Sequence, residues 1–172
     1  MPIKSCCFIG HRKINDTPEL RERLRGILLK LIENGTVNFL FGDHSAFNSL
    51  CYDLVTELKE TYPDIKRFHF RRDYEDTDDY TMQFLLVGYD ETICPKGVGS
   101  AGRASYVERN QAMIRESDVC IFYYDENYLP KRRKVSRRDL FDYQPKSGTA
   151  IAYVYAVLQK KQIYNIFNML YP

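Results

Sequence analysis

A chain of 172 residues, 44% hydrophobic and 28% charged, suits one domain with a substantial core and excludes a disordered chain. Its formal net charge of +2 excludes a surface that is basic throughout, the footprint of a general nucleic-acid binder. No apolar run approaches a membrane span and the N-terminus has no long apolar stretch, so the expected setting is soluble and cytoplasmic, with no membrane partner.

Residues 4–9 read as a buried strand that breaks at Phe8-Ile9-Gly10-His11-Arg12. A helix start follows at Thr17-Pro18-Glu19, and Leu20, Leu24, Ile27, Leu28, Leu31 and Ile32 recur at helical spacing. Asn34-Gly35 closes that helix. Residues 37–41 form a second strand, short and continuously apolar, and so central and parallel. It runs into Gly42-Asp43-His44-Ser45-Ala46-Phe47-Asn48, where Ser45 caps a helix through Leu50, Leu54 and Leu58. Pro63-Asp64 turns the chain into a strand at 65–70. An acidic stretch at 73–79 leads to a short helix at 80–87, and a strand at 91–94 precedes a glycine-rich loop at 95–102. A helix at 104–116 ends at Ser117-Asp118, before a strand at 119–124. The segment 125–147 is longer than typical connections and carries Lys131-Arg132-Arg133-Lys134 and Arg137-Arg138. Gly148-Thr149 opens an apolar helix through Val154, Val157 and Leu158, and 162–167 is the last strand. Strands alternating with helices predict one doubly wound α/β domain over 1–172, its sheet mainly parallel, helices on both faces, with a basic insertion at 125–147.

Strand ends of this kind line the crevice where an open α/β sheet binds ligands. At the first turn, Arg12 can pair bidentately with phosphate or carboxylate, and His11 can donate to an oxygen or titrate near neutral pH. The bland alternative is a solvated turn. At the second turn, Gly42 permits close backbone approach, and Phe47 either enters the core, the favoured place, or covers a base. Asp43 occupies the position an anion would want and could instead bind ribose hydroxyls. Ser147-Gly148-Thr149 suits phosphate contact through backbone amides, or is a plain helix cap. Arg109-Asn110 lies on a helix where an arginine usually faces solvent. Cys6, Cys7, Cys51, Cys94 and Cys120 are odd in number and lack a Cys-x-x-Cys pair, so they read as reduced, mostly buried thiols. Three histidines without paired spacing give no metal site.

Phe8-Ile9-Gly10-His11-Arg12, the Gly42 turn, Arg109-Asn110-x-x-Met113 before Ser117-Asp118, and Ser147-Gly148-Thr149 form an ordered set. Together they resemble the SLOG superfamily of Rossmann-like domains, most closely its small stand-alone YpsA-like branch. Relatives include the lonely-guy phosphoribohydrolases and the DNA-processing Smf proteins. The resemblance implies a nucleotide or nucleotide-derived ligand at the C-terminal edge of the sheet, and often a homodimer. It places the ligand among Gly10, His11 and Arg12; Gly42, Asp43, His44, Ser45 and Phe47; Arg109 and Asn110; and Ser147, Gly148 and Thr149.

Two departures shape the functional expectation. The hydrolase signature Pro-Gly-Gly-x-Gly-Thr-x-x-Glu keeps only Gly148-Thr149 here, and Ala152 stands where its glutamate would be. The glycine-rich turn has Asp43, Ala46 and Asn48 where the family pattern has glycine, glycine and aspartate. The expected function is therefore binding of a nucleotide-derived small molecule, in sensing or sequestration, with no catalytic residue and no cofactor. One alternative is N-glycosidic hydrolysis of a nucleoside monophosphate, with Asp43 or Glu108 replacing the missing acid. The other is a nucleic-acid or protein interaction domain that uses the basic loop.

Overall fold

The computed structural model describes residues 4–42, 45–72, 78–96, 98, 103–131 and 144–171. In chain order its elements are β1 (Lys4–Gly10), α1 (Pro18–Glu33), β2 (Thr36–Phe41), α2 (Ala46–Thr61), β3 (Lys66–Phe70) and α3 (Asp79–Leu85). There follow β4 (Glu91–Ile93), α4 (Arg103–Arg115), β5 (Val119–Tyr123), α5 (Gly148–Leu158), β6 (Gln162–Asn165) and α6 (Ile166–Leu170). The strands form one six-stranded sheet in the order β4-β3-β2-β1-β5-β6, and every pair is parallel.

Local chemistry sets the helix starts. Thr17 Oγ1 accepts the Leu20 N–H at 3.2 Å, with Pro18 in the first turn, where a missing N–H costs nothing. Ser45 caps α2 by accepting the Asn48 N–H at 3.1 Å. Gly35 ends the first helical unit at a φ of +90°, a conformation other residues adopt at a cost.

Period-two alternation along β1 then divides the core. Cys6 and Phe8 point to the face covered by α1, α2 and α6, where the Phe8 ring lies 5.0 Å from Phe41 and 6.0 Å from Phe39. Cys7 and Ile9 point to the face covered by α4 and α5, among Met113, Phe122 and Ala152. The third strand is pinned near one edge by Asp90, which accepts from Lys59 Nζ (2.9 Å), Arg67 N (2.8 Å) and Arg67 Nε (3.2 Å). Burial pushes this carboxyl up, but these donors outweigh it and hold its pKa below the ordinary value.

The sequence reading departs from the structure at the last strand. It was expected to reach residue 167, but β6 ends at Asn165 and α6 begins at Ile166. The Asn165 side chain takes over the ladder: Oδ1 accepts the Tyr124 N–H (3.0 Å) and Nδ2 donates to the Tyr124 carbonyl (2.9 Å). With those groups satisfied, the backbone is released into a helix, and Phe167 packs edge-on against Tyr123 at 5.4 Å.

Topology locates the crevice. From β1 the chain builds outward through β2, β3 and β4, then crosses over to place β5 on the opposite side of β1. The connections leave β1 and β5 in opposite directions, and the space between their C-terminal ends stays open.

Candidate functional site

A cleft of about 690 Å³ opens at that edge. Most of the residues singled out in the sequence line it: Gly10, His11 and Arg12 after β1, Gly42 and Ser45 around the start of α2, Arg109 and Asn110 on α4, and Ser147, Gly148 and Thr149 at the start of α5. Asp43 and His44 lie outside the described residues, as do residues 132–143 of the basic segment. Phe47 does not line the cleft. It is fully buried in the core beneath β1, the first of the two places open to it.

Two of the three glycines owe their identity to neighbouring side chains. A Cβ on Gly10 would lie 2.6 Å from Cγ of Phe47, and one on Gly42 would lie 2.9 Å from Cζ of Arg109. At Gly10 the added atom would meet the rooted ring of Phe47, and at Gly42 it would meet only the end of the Arg109 side chain. A Cβ on Gly148 would meet nothing within 4 Å, so packing does not explain that glycine. Asn48 stands where the resemblance expects aspartate, and it ties the second turn together. Its Oδ1 accepts the Gly42 N–H at 3.3 Å and its Nδ2 donates to Ser45 Oγ at 3.1 Å.

Arg109 is 5% exposed, not solvent-facing as its helical position suggests. Its guanidinium lies against Gly42, donates from Nη2 to Asn110 Oδ1 at 3.0 Å, and sits 5.5 Å from the ring centre of Tyr106. Arg72 covers the same ring at 3.6 Å and donates from Nη1 to Ser105 Oγ at 3.0 Å. Tyr106 thus gathers two cations on the wall formed by α4.

On the β5 side, His11 is buried, and its Nε2 accepts the Asp125 backbone N–H at 3.0 Å. Only a neutral ring with its proton on Nδ1 can accept there. Burial lowers the imidazole pKa, partly offset by the nearby Asp125. The Tyr128 ring rests 4.5 Å from that of His11. At the start of α5, Ser147 Oγ accepts the Ala150 N–H at 3.0 Å. Helix geometry gives the amides of Gly148 and Thr149, the first two residues of this helix, no intrahelical partner.

The lining carries Arg12, Arg72, Arg109 and Lys146, and no Asp or Glu among the described residues. Ala152 is buried in the second core and is not among the lining residues. The described residues contain no cluster of three or more His, Cys, Asp or Glu able to hold a metal ion. Sequence reasoning missed Arg72, Tyr106, Tyr128 and Lys146. The signals were present: Arg71-Arg72 follows a strand end, Tyr106 shares a helix face with Arg109 at a spacing of three, and Lys146 adjoins Ser147.

No helix among the described residues is long and apolar enough to cross a membrane. No protein-family model matches the chain, and no curated protein matches it. A solved structure similar to it is that of DNA processing protein A from Helicobacter pylori, reported for its single-stranded DNA binding mode. The likeness covers 97% of this chain and 71% of that one, at 17% identity and a TM-score of 0.56. That protein is of the DNA-processing Smf type, and what the likeness establishes for this chain is its Rossmann-like α/β fold.

Proposed function

We propose that the chain binds a nucleotide-type ligand in the cleft between β1 and β5, in sensing or sequestration rather than turnover. The observation that carries this reading is the lining itself: four cationic side chains and two tyrosines around about 690 Å³, with no carboxylate among the described lining residues. A cleft of this size suits a small molecule, and cations beside aromatic rings suit phosphate joined to a base. In this reading phosphate lies against the Gly148 and Thr149 amides, with Arg12 and Lys146 nearby. The resemblance to the YpsA-like branch supports the same ligand class and a homodimer. The free thiols of Cys6, Cys7, Cys51 and Cys120, all buried, support a reducing, cytoplasmic setting.

A second reading is single-stranded nucleic acid, which offers the same phosphates and bases in a strand. It is favoured by the neighbour with the same fold, whose reported binding mode is for single-stranded DNA. Calorimetric titration separates the two. The panel comprises nucleoside 5′-mono- and diphosphates, inorganic phosphate, and deoxythymidine oligonucleotides of increasing length.

The expected result is a nucleotide that binds more tightly than inorganic phosphate and at least as tightly as any oligonucleotide. Gly148→Ala is expected to weaken that nucleotide about tenfold or more with no loss of thermal stability. Affinity that rises steadily with oligonucleotide length, beyond that of every mononucleotide, would establish the second reading. Nothing binding better than inorganic phosphate would end both.

A further inference from the structure

We propose that Tyr128, backed by the imidazole of His11, is the platform on which the ligand's base stacks. This inference rests on the nucleotide-binding reading and specifies what the ligand must carry: a flat aromatic group, not phosphate and sugar alone.

The two cleft tyrosines differ in what already lies against them. Tyr106 holds the Arg72 guanidinium over its ring at 3.6 Å, a distance that leaves no room for a base on that face. Tyr128 has His11 at 4.5 Å and is still 49% exposed. A ring braced by a neighbour tilted 44° to it, with so much surface open beside a cleft, is ready to receive a flat group.

Its position is fixed rather than incidental. The turn after β5 is closed by the Tyr128 N–H donating to the Asp125 carbonyl at 3.1 Å. The Asn127 N–H donates to Asp125 Oδ1 at 2.9 Å, a side-chain bond that stiffens the same turn. The Asp125 N–H in turn anchors His11. One residue therefore sets both rings, and little ordering cost is left for binding. The cations Arg72 and Arg109 come from the β3 side and from α4, whereas this platform follows β5, the strand that precedes the Gly148 and Thr149 amides assigned to phosphate.

The experiment compares the tightest-binding nucleoside 5′-phosphate with ribose 5-phosphate on the intact protein, Tyr128→Ala and Tyr128→Phe. Stacking on one aromatic side chain contributes on the order of tenfold or more to affinity. The wild type is expected to prefer the nucleotide by at least that factor. Tyr128→Ala should lose the preference while binding ribose 5-phosphate unchanged, and Tyr128→Phe should keep it. Base protons should move upfield on binding to wild type and not on binding to Tyr128→Ala. Equal binding of nucleotide and ribose 5-phosphate by the wild type would overturn the platform and leave the anion site standing. The platform also fails if Tyr128→Ala weakens both ligands alike or neither. If no nucleotide binds better than inorganic phosphate, the nucleotide reading falls and the platform with it.

Discussion

His11 shows how one residue can be legible in type and not in role. The motif Gly10-His11-Arg12 marked a polar ligand at a strand end, but whether the ring would be charged depended on Asp125, which is 114 residues away. The structure settles this in favour of the neutral ring, and a sign follows. The folded pKa is below the ordinary value of 6.5, so the unfolded chain binds more protons as the medium acidifies. Stability is therefore unaffected by this group well above pH 6.5 and is lost as pH falls through that value toward the depressed folded pKa. Denaturant unfolding between pH 7 and pH 5 should show a decline of at most about 1.4 kcal/mol per pH unit from His11, absent in His11→Gln. An identical slope in the variant would show that the imidazole does not resist protonation. Arg72 carries a local signal in following a strand end, but that signal, like Tyr128, joins the site only once the neighbouring strands are ordered. Arg109 was named for the site and lines the cleft, but local helix periodicity does not reveal that its guanidinium lies buried against Gly42, just beyond the end of β2.

At the scale of elements, the helix starts and the strands before residue 160 were readable because caps and periodicity are local. The end of β6 was not, because the bonds that stop it run from Asn165 to Tyr124, 41 residues earlier. The same contrast applies to the fit of α2 on β1. Phe47, in the first turn of α2, is fully buried against Gly10, at the C-terminal end of β1. Gly10→Ala would put a methyl group 2.6 Å from its Cγ, and the ring is fully buried in a close-packed core. Overpacking of this kind costs about 1–3 kcal/mol. Chemical denaturation should show that loss for Gly10→Ala, while Gly148→Ala, where the added Cβ has open space, should unfold like the wild type. Equal stability of Gly10→Ala and wild type would mean that α2 can shift away from β1 without cost.

For the molecule as a whole, the alternation of strand and helix was enough to give a doubly wound parallel sheet, and the sheet order supplied what alternation could not, the position of the crevice. The pairing of β5 with β1 matches Cys7 to Cys120 and Gly10 to Tyr123, so each contact joins residues more than a hundred positions apart. Closing so long a loop must precede any reward from the contacts it brings, which makes this pairing intrinsically slow. The β1–β2 pairing joins Cys6 to Phe39 and needs only one helical hairpin's length of chain. During refolding, binding of the nucleotide identified by titration should return only with the slowest phase, after most far-ultraviolet signal has recovered. Its return in the first phase would show that β5 docks early. The crossover that opens the crevice thus also sets its timing: a chain still emerging from the ribosome could pair Cys6 with Phe39, yet one wall of the cleft would wait for β5, Tyr128 and the start of α5.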